Sequence, residues 1–142
     1  MARARPGLAF WMPSDAGFIV GLMVDKIDRL APLVWIAQPT FEEPPTVEQV
    51  RRISEWRWPV MFVVGPALYR HIVEPIGIID VPPGLRMPIV MRAGTADLGL
   101  RAVEVTSSGM KRLPIPPTED MPSFVCVNDT ALKELVIANR AP

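Results

Sequence analysis

Proline constrains this chain more than any other residue: seventeen of its 142 positions carry it. Its ring fixes φ and removes an N–H, which interrupts helix interiors and central strands alike. Short elements joined by many turns follow, and long helices are not expected. The stretch Glu74 to Arg92, EPIGIIDVPPGLRMPIVMR, shows the consequence. Two runs in it read as strands, Ile76 to Val81 and Leu85 to Arg92, with Pro82-Pro83-Gly84 forcing a turn between them. In the second run Leu85, Met87, Ile89 and Met91 alternate with Arg86, Pro88, Val90 and Arg92, the period of a strand buried on one face. The two runs are expected to lie in one antiparallel sheet with Ile89 and Met91 buried. Pro88 cannot donate to a ladder, so its strand belongs at a sheet edge or a bulge.

Upstream, Leu8, Phe10 and Met12 point one way and Ala9 and Trp11 the other, a first strand ending at Pro13. Ser14-Asp15-Ala16-Gly17 is a turn, and Phe18 to Val24 is apolar on both faces, as for a strand covered on both sides or a twisted strand leaving a small barrel. A hairpin results. Gly21 inside it marks a bulge or a close approach by another backbone. Leu33 to Ala37 reads as a third strand. Thr40 to Pro45 is a loop, and Thr46 with Gln49 forms a capping-box pair that opens a short helix whose stripe is Val47, Val50 and Ile53.

Val60 to Val64 reads as a buried strand ending at Gly65-Pro66. Ala67 to Val73 admits a helical turn or a strand with equal weight. Beyond the central stretch, Gly94 to Gly99 is a loop and Leu100 to Thr106 a strand stopped by Ser107-Ser108-Gly109. Leu113 to Pro122 is ordered coil, Phe124 to Val127 a last short strand, and Asn128, Asp129 and Thr130 are alternative N-caps for a helix through about Asn139. Leu132, Leu135 and Val136 form its buried stripe. Strands outnumber helices and do not alternate with them. The expected class is α+β: a strand-rich, curved, mainly antiparallel sheet or partly open barrel with two short helices, in one globular domain over residues 1–142.

An apolar fraction of 49% against 21% charged residues argues for a packed core and against disorder. Fifteen basic and fifteen acidic side chains cancel, so no molecule-wide field draws the chain to nucleic acid or to an anionic membrane. The N-terminal MARARPGLAFWMP begins like a signal peptide, but Pro13 and Asp15 break its apolar run. It reads as mature sequence. The longest uncharged run, Trp58 to Tyr69, is too short to span a bilayer and holds two prolines and a glycine. One cysteine excludes an internal disulfide, and cytoplasmic location is the default reading.

The chemistry-bearing residues are few. One His and one Cys argue against a zinc site, no glycine-rich phosphate loop is present, and no cofactor is expected. Cys126 reads as a small buried hydrophobe and His71 as a partly exposed loop residue. The pairs Glu42-Glu43 and Glu119-Asp120, in proline-bounded loops, read as solvated surface in preference to acid–base catalysts. No catalytic residue is assigned, and the chain is not expected to be an enzyme. In Trp56-Arg57-Trp58, Trp58 begins the buried strand. Trp56 either closes the helix over the core or anchors a partner.

Three pieces together resemble the bacterial polymorphic-toxin immunity proteins, most nearly the immunity protein 26 family. GLAFWMPSDAGFIVGLMV is similar to that family's opening: a strand reaching a proline, an Asp-containing turn, then a strand with a central glycine. IAQPTFEEPPTVEQV resembles its strand, aromatic-bearing loop and helix, and EPIGIIDVPPGLRMPIVMR its Pro-x-Ile-Gly segment with a Met-Pro strand. The resemblance implies a protein that binds and neutralises a cognate toxin, with no catalytic residues. A neutral chain lacks the whole-molecule steering of an acidic inhibitor, so the interface would depend on local charges and aromatics. Phe41, Glu42 and Glu43, stiffened by Pro39, Pro44 and Pro45, are the candidate contact, joined by Arg51 and Trp56 if the helix packs along its apolar stripe. The competing reading has Phe41 folded inward as a plug with the glutamates merely solvated. A β-rich module binding nucleic acid or a peptide within a larger assembly is the alternative function.

Overall fold

A computed structural model describes residues 3–142. Met1 and Ala2, at the start of the run read against a signal peptide, lie outside them. The elements in order are β1 (Leu8–Ser14), β2 (Gly17–Asp25), β3 (Leu33–Ala37), α1 (Val47–Arg51), β4 (Trp56–Met61), α2 (Val64–Tyr69), β5 (Glu74–Ile78), a 3₁₀ turn (Pro83–Leu85), β6 (Ile89–Thr95), β7 (Gly99–Thr106), β8 (Gly109–Arg112) and α3 (Asp129–Ile137). The class is α+β and strand-rich, as expected. The eight strands form two antiparallel sheets, ordered β4-β3-β2-β1-β5 and β6-β7-β8, neither closed into a barrel. Among the described residues three α-helices stand where two were expected.

The larger sheet is covered on both faces. Along β1 to β3, Leu8, Phe10, Met12, Ile19, Met23, Val34 and Ile36 turn to one side, where they meet α2 through Val64, Ala67 and Leu68 and α3 through Leu132 and Val136. Ala9, Val20, Leu22 and Ala37 turn to the other and meet Val50 of α1, Ile79 and Leu85. That alternation is the period of two acting on a sheet with helices on both sides. Gly21 accepts a close approach, but from an aromatic ring rather than a backbone. It faces Phe10 in the register, and a Cβ there would meet the Phe10 ring at 2.4 Å.

The smaller sheet is a meander of neighbouring strands. Ile27, Leu33 and Met61 meet Met91, Ala93, Val103 and Val105 in a third cluster that joins it to the larger sheet. The expected hairpin from Ile76 to Arg92 is therefore corrected: β5 belongs to one sheet and β6 to the other. Between them the chain enters the 3₁₀ turn, where Leu85 is buried and its carbonyl accepts from Trp35 Nε1 at 3.0 Å. Arg86 Nε donates to Val81 O at 2.8 Å, and β6 begins only after Pro88. The alternation survives without the pairing: Met91 is buried, Ile89 half-buried and Val90 exposed. As Pro88 suggested, β6 lies at a sheet edge.

Other boundaries shift for local reasons. β4 starts at Trp56 rather than Val60, and α2 spans Val64–Tyr69, so the ambiguous stretch is helical from Ala67 to Tyr69 and irregular from there to Val73. β8 follows the Ser107-Ser108 turn and was not foreseen, because its GMKR sequence is exposed and carries no apolar alternation. Phe124 to Val127 lies along β4 through a single parallel bridge between Met61 and Cys126. Val125 and Val127 there pack on the larger core, so the alternate residue turns outward. Cys126 is thus exposed, which overturns its reading as a buried hydrophobe.

Candidate functional site

The loop from Thr40 to Pro45 is held at both ends. Phe18 N donates to Phe41 O at 2.7 Å and Phe41 N to Phe18 O at 3.0 Å, a bridge that adds the loop to the start of β2. Gly17 makes the approach feasible: its φ is +106°, and a Cβ there would lie 2.8 Å from Phe41 O. At the far end the Thr46 capping box is complete. Thr46 N donates to Gln49 Oε1 at 2.9 Å and Gln49 N to Thr46 Oγ1 at 3.3 Å. Helix α1 then lies close on β5, since a Cβ at Gly77 would meet Val47 Cγ2 at 2.4 Å. Val50 is buried, with Val47 and Ile53 packed beside it, so the helix does lie along its expected stripe.

Phe41 and Trp56 are half-buried in the same apolar cluster. Glu42 and Glu43 are exposed, as is Arg51, which pairs with Glu48 on its own helix. The five candidate residues do not line one groove. Phe41 borders a shallow depression with Pro39, Gln49, Arg52, Ile53 and Glu55. Trp56 opens instead on a separate cleft with Trp35, Arg57, Trp58 and Arg92. Phe41 thus combines both readings made of it, part plug and part surface. Trp58 is buried at 9% exposure.

The second cleft was missed as a unit because its residues lie far apart in sequence. Only the Trp56-Arg57-Trp58 triplet pointed to it. Arg57 Nε donates to Ala37 O at 3.1 Å, and one terminal nitrogen donates to Asn139 Oδ1 at 2.9 Å. Partial burial lowers the Arg57 pKa by desolvating the guanidinium, which stays charged at any working pH. On the rim, Asp120 accepts from the Thr118 hydroxyl, and that bond together with a backbone hydrogen bond holds its carboxyl below the ordinary value of 3.8 despite a small opposing desolvation. His71 is exposed, with Nδ1 3.1 Å from Glu74 Oε1. No protein-family model, curated protein or solved structure matches the chain.

Proposed function

We propose that the chain is an immunity-type inhibitor that binds and neutralises a cognate bacterial toxin in the cytoplasm, presenting the Thr40 to Pro45 loop to it. The observation that carries this reading is the fixed display of two exposed carboxylates, Glu42 and Glu43, on a loop pinned by the Phe18–Phe41 bridge and by the α1 cap. A loop already ordered loses less conformational entropy on docking. Half-buried Phe41 supplies an apolar base beside the charged rim, the composition of an interface hot spot. Because the chain has no net charge, attraction to a basic partner would come from this local pair and would weaken with salt.

The test has two steps: the gene neighbourhood should encode a toxin with a variable C-terminal domain, and this chain should protect bacterial cells expressing that domain. Wild-type chain is expected to protect, and failure to protect would sink the reading. A variant with Glu42→Lys and Glu43→Lys should lose protection while melting within a few degrees of wild type, since both positions are exposed. Full protection by a stably folded variant would remove this surface from the interface.

A further inference from the structure

A pocket lies where the loop from β2 to β3 faces the start of α2 and the segment 124–127. Its floor is Met23, Met61 and Val64, all buried. Its rim includes Leu30 and Val63, which are 45% and 44% exposed although both are large apolar side chains. Apolar side chains left open together round a hollow mark a binding surface, whereas scattered ones do not. The volume is about 720 Å³, within the range of small-molecule sites. We propose that this pocket is a second binding site, which takes an anionic single-chain amphiphile of the fatty-carboxylate class.

Charge selects the occupant. Lys26 and Arg29 are the only charged residues that line the pocket, and no carboxylate, hydroxyl or amide side chain shares it with them. Neither is in an ion pair among the described residues. The acids beside them in sequence do not line it: Asp25 borders a different cavity, its Oδ1 accepting from Lys26 N at 2.8 Å, and Asp28, whose N donates to Ser107 O at 2.8 Å, borders neither. An acyl chain on the apolar floor would leave its carboxylate at the rim, where the two cations can meet it. Walls without hydrogen-bonding side chains give a sugar or a nucleotide nothing to orient it. A second copy of the chain fits poorly, because a two-fold contact would set this face against itself and cation against cation. A volume in the small-molecule range favours one chain over the face of a partner helix. The Cys126 thiol, the only one in the sequence, is exposed on the same pocket and reports on its occupancy. This proposal stands independently of the toxin reading.

The test titrates the full chain with decanoate, decanol and butyrate. The readouts are the rate at which iodoacetamide alkylates Cys126 and the backbone amide shifts of Lys26 to Ala31. Decanoate should bind saturably, slow the alkylation in proportion to occupancy, and bind at least about fivefold more tightly than decanol, the worth of two exposed ion pairs. Butyrate, with a shorter chain to bury, should bind at least about tenfold more weakly than decanoate. Joint Lys26→Gln and Arg29→Gln substitution should abolish the preference for decanoate while leaving decanol affinity and melting temperature unchanged. Decanol or butyrate matching decanoate, or alkylation unchanged at saturation, overturns the proposal. So does an amphipathic Glu-Leu peptide that displaces decanoate at a lower concentration, because the face would then dock a protein. A chain that is dimeric before any ligand is added, with Cys126 already protected, overturns it too. If the double variant melts early, Val63→Glu replaces it with a loss of decanoate affinity by the same factor expected, and undiminished binding there overturns the proposal as well.

Discussion

The two sheets of this chain solve the burial problem differently. In the larger, β2 runs between two neighbours with helices against both faces, and Ile19 through Val24 are buried without interruption apart from a glycine that is itself enclosed. In the smaller, the third cluster packs one face, β8 is exposed along most of its length, and Leu98 at the β6–β7 turn is 88% exposed. A strand covered on both faces has no side on which a volume change can relax into solvent. A strand covered on one face does. The difference therefore predicts where substitutions cost most and which sheet opens first.

The largest effect is expected at Phe10, which is 1% exposed, stacks on Phe62 at 5.9 Å between ring centroids and lies across Gly21. Phe10→Ala should cost about 3–5 kcal/mol in chemical denaturation. Met91, the best-buried residue of β6 at 0% exposure, sits in the smaller sheet, and Met91→Ala should cost about 2 kcal/mol, the lower end of the range for such truncations. Equal losses, or a larger loss at Met91, would break the comparison between the sheets. One step down, Ile89 is only half-buried. Ile89→Ala should cost about 1 kcal/mol, below the range for a full core site. A loss above about 2 kcal/mol would mean that the face of β6 is more enclosed than its exposure indicates.

Sequence reading succeeded where the signal is local. The Thr46 and Gln49 capping pair, the Ser14 to Gly17 turn and the α3 cap, which falls at Asn128 among three alternatives and whose Oδ1 accepts from Ala131 N at 2.8 Å, each lie within a few residues. Alternation in Leu85 to Arg92 named the buried side correctly. It could not name the partner strand, because period fixes a face and long-range packing chooses the sheet. The same limit hid the cleft: Trp35, Arg57 and Arg92 come from three strands of two sheets, and only the triplet around Arg57 was contiguous. At Cys126 an apolar run suggests a buried strand, whereas one bridge to Met61 sends its valines inward and the thiol outward. Phe41 was ambiguous in sequence and is divided in structure, its backbone bound to β2 and its ring partly open.

The smallest effect concerns the coil that leaves β8 and returns to the edges of both sheets, where Arg92 N donates to Pro122 O at 2.7 Å and Phe124 N to Arg92 O at 2.8 Å. Asp120 helps shape its turn by accepting from Thr118. Its folded pKa lies below the ordinary 3.8, with the Thr118 bond the leading cause. A carboxyl whose folded pKa is depressed adds stability that is fully present above its unfolded value and is lost as pH falls through its folded value. Asp120→Asn should therefore melt slightly below wild type at neutral pH, and the gap should close below about pH 3.8. Because the carboxyl is fully exposed, solvent screening keeps the difference far smaller than any core effect in either sheet. Melting curves of both proteins across that range provide the check. A gap that stays constant through acid would show that the Asp120 turn acts by shape alone, with no contribution from its charge to holding the coil between the two sheets.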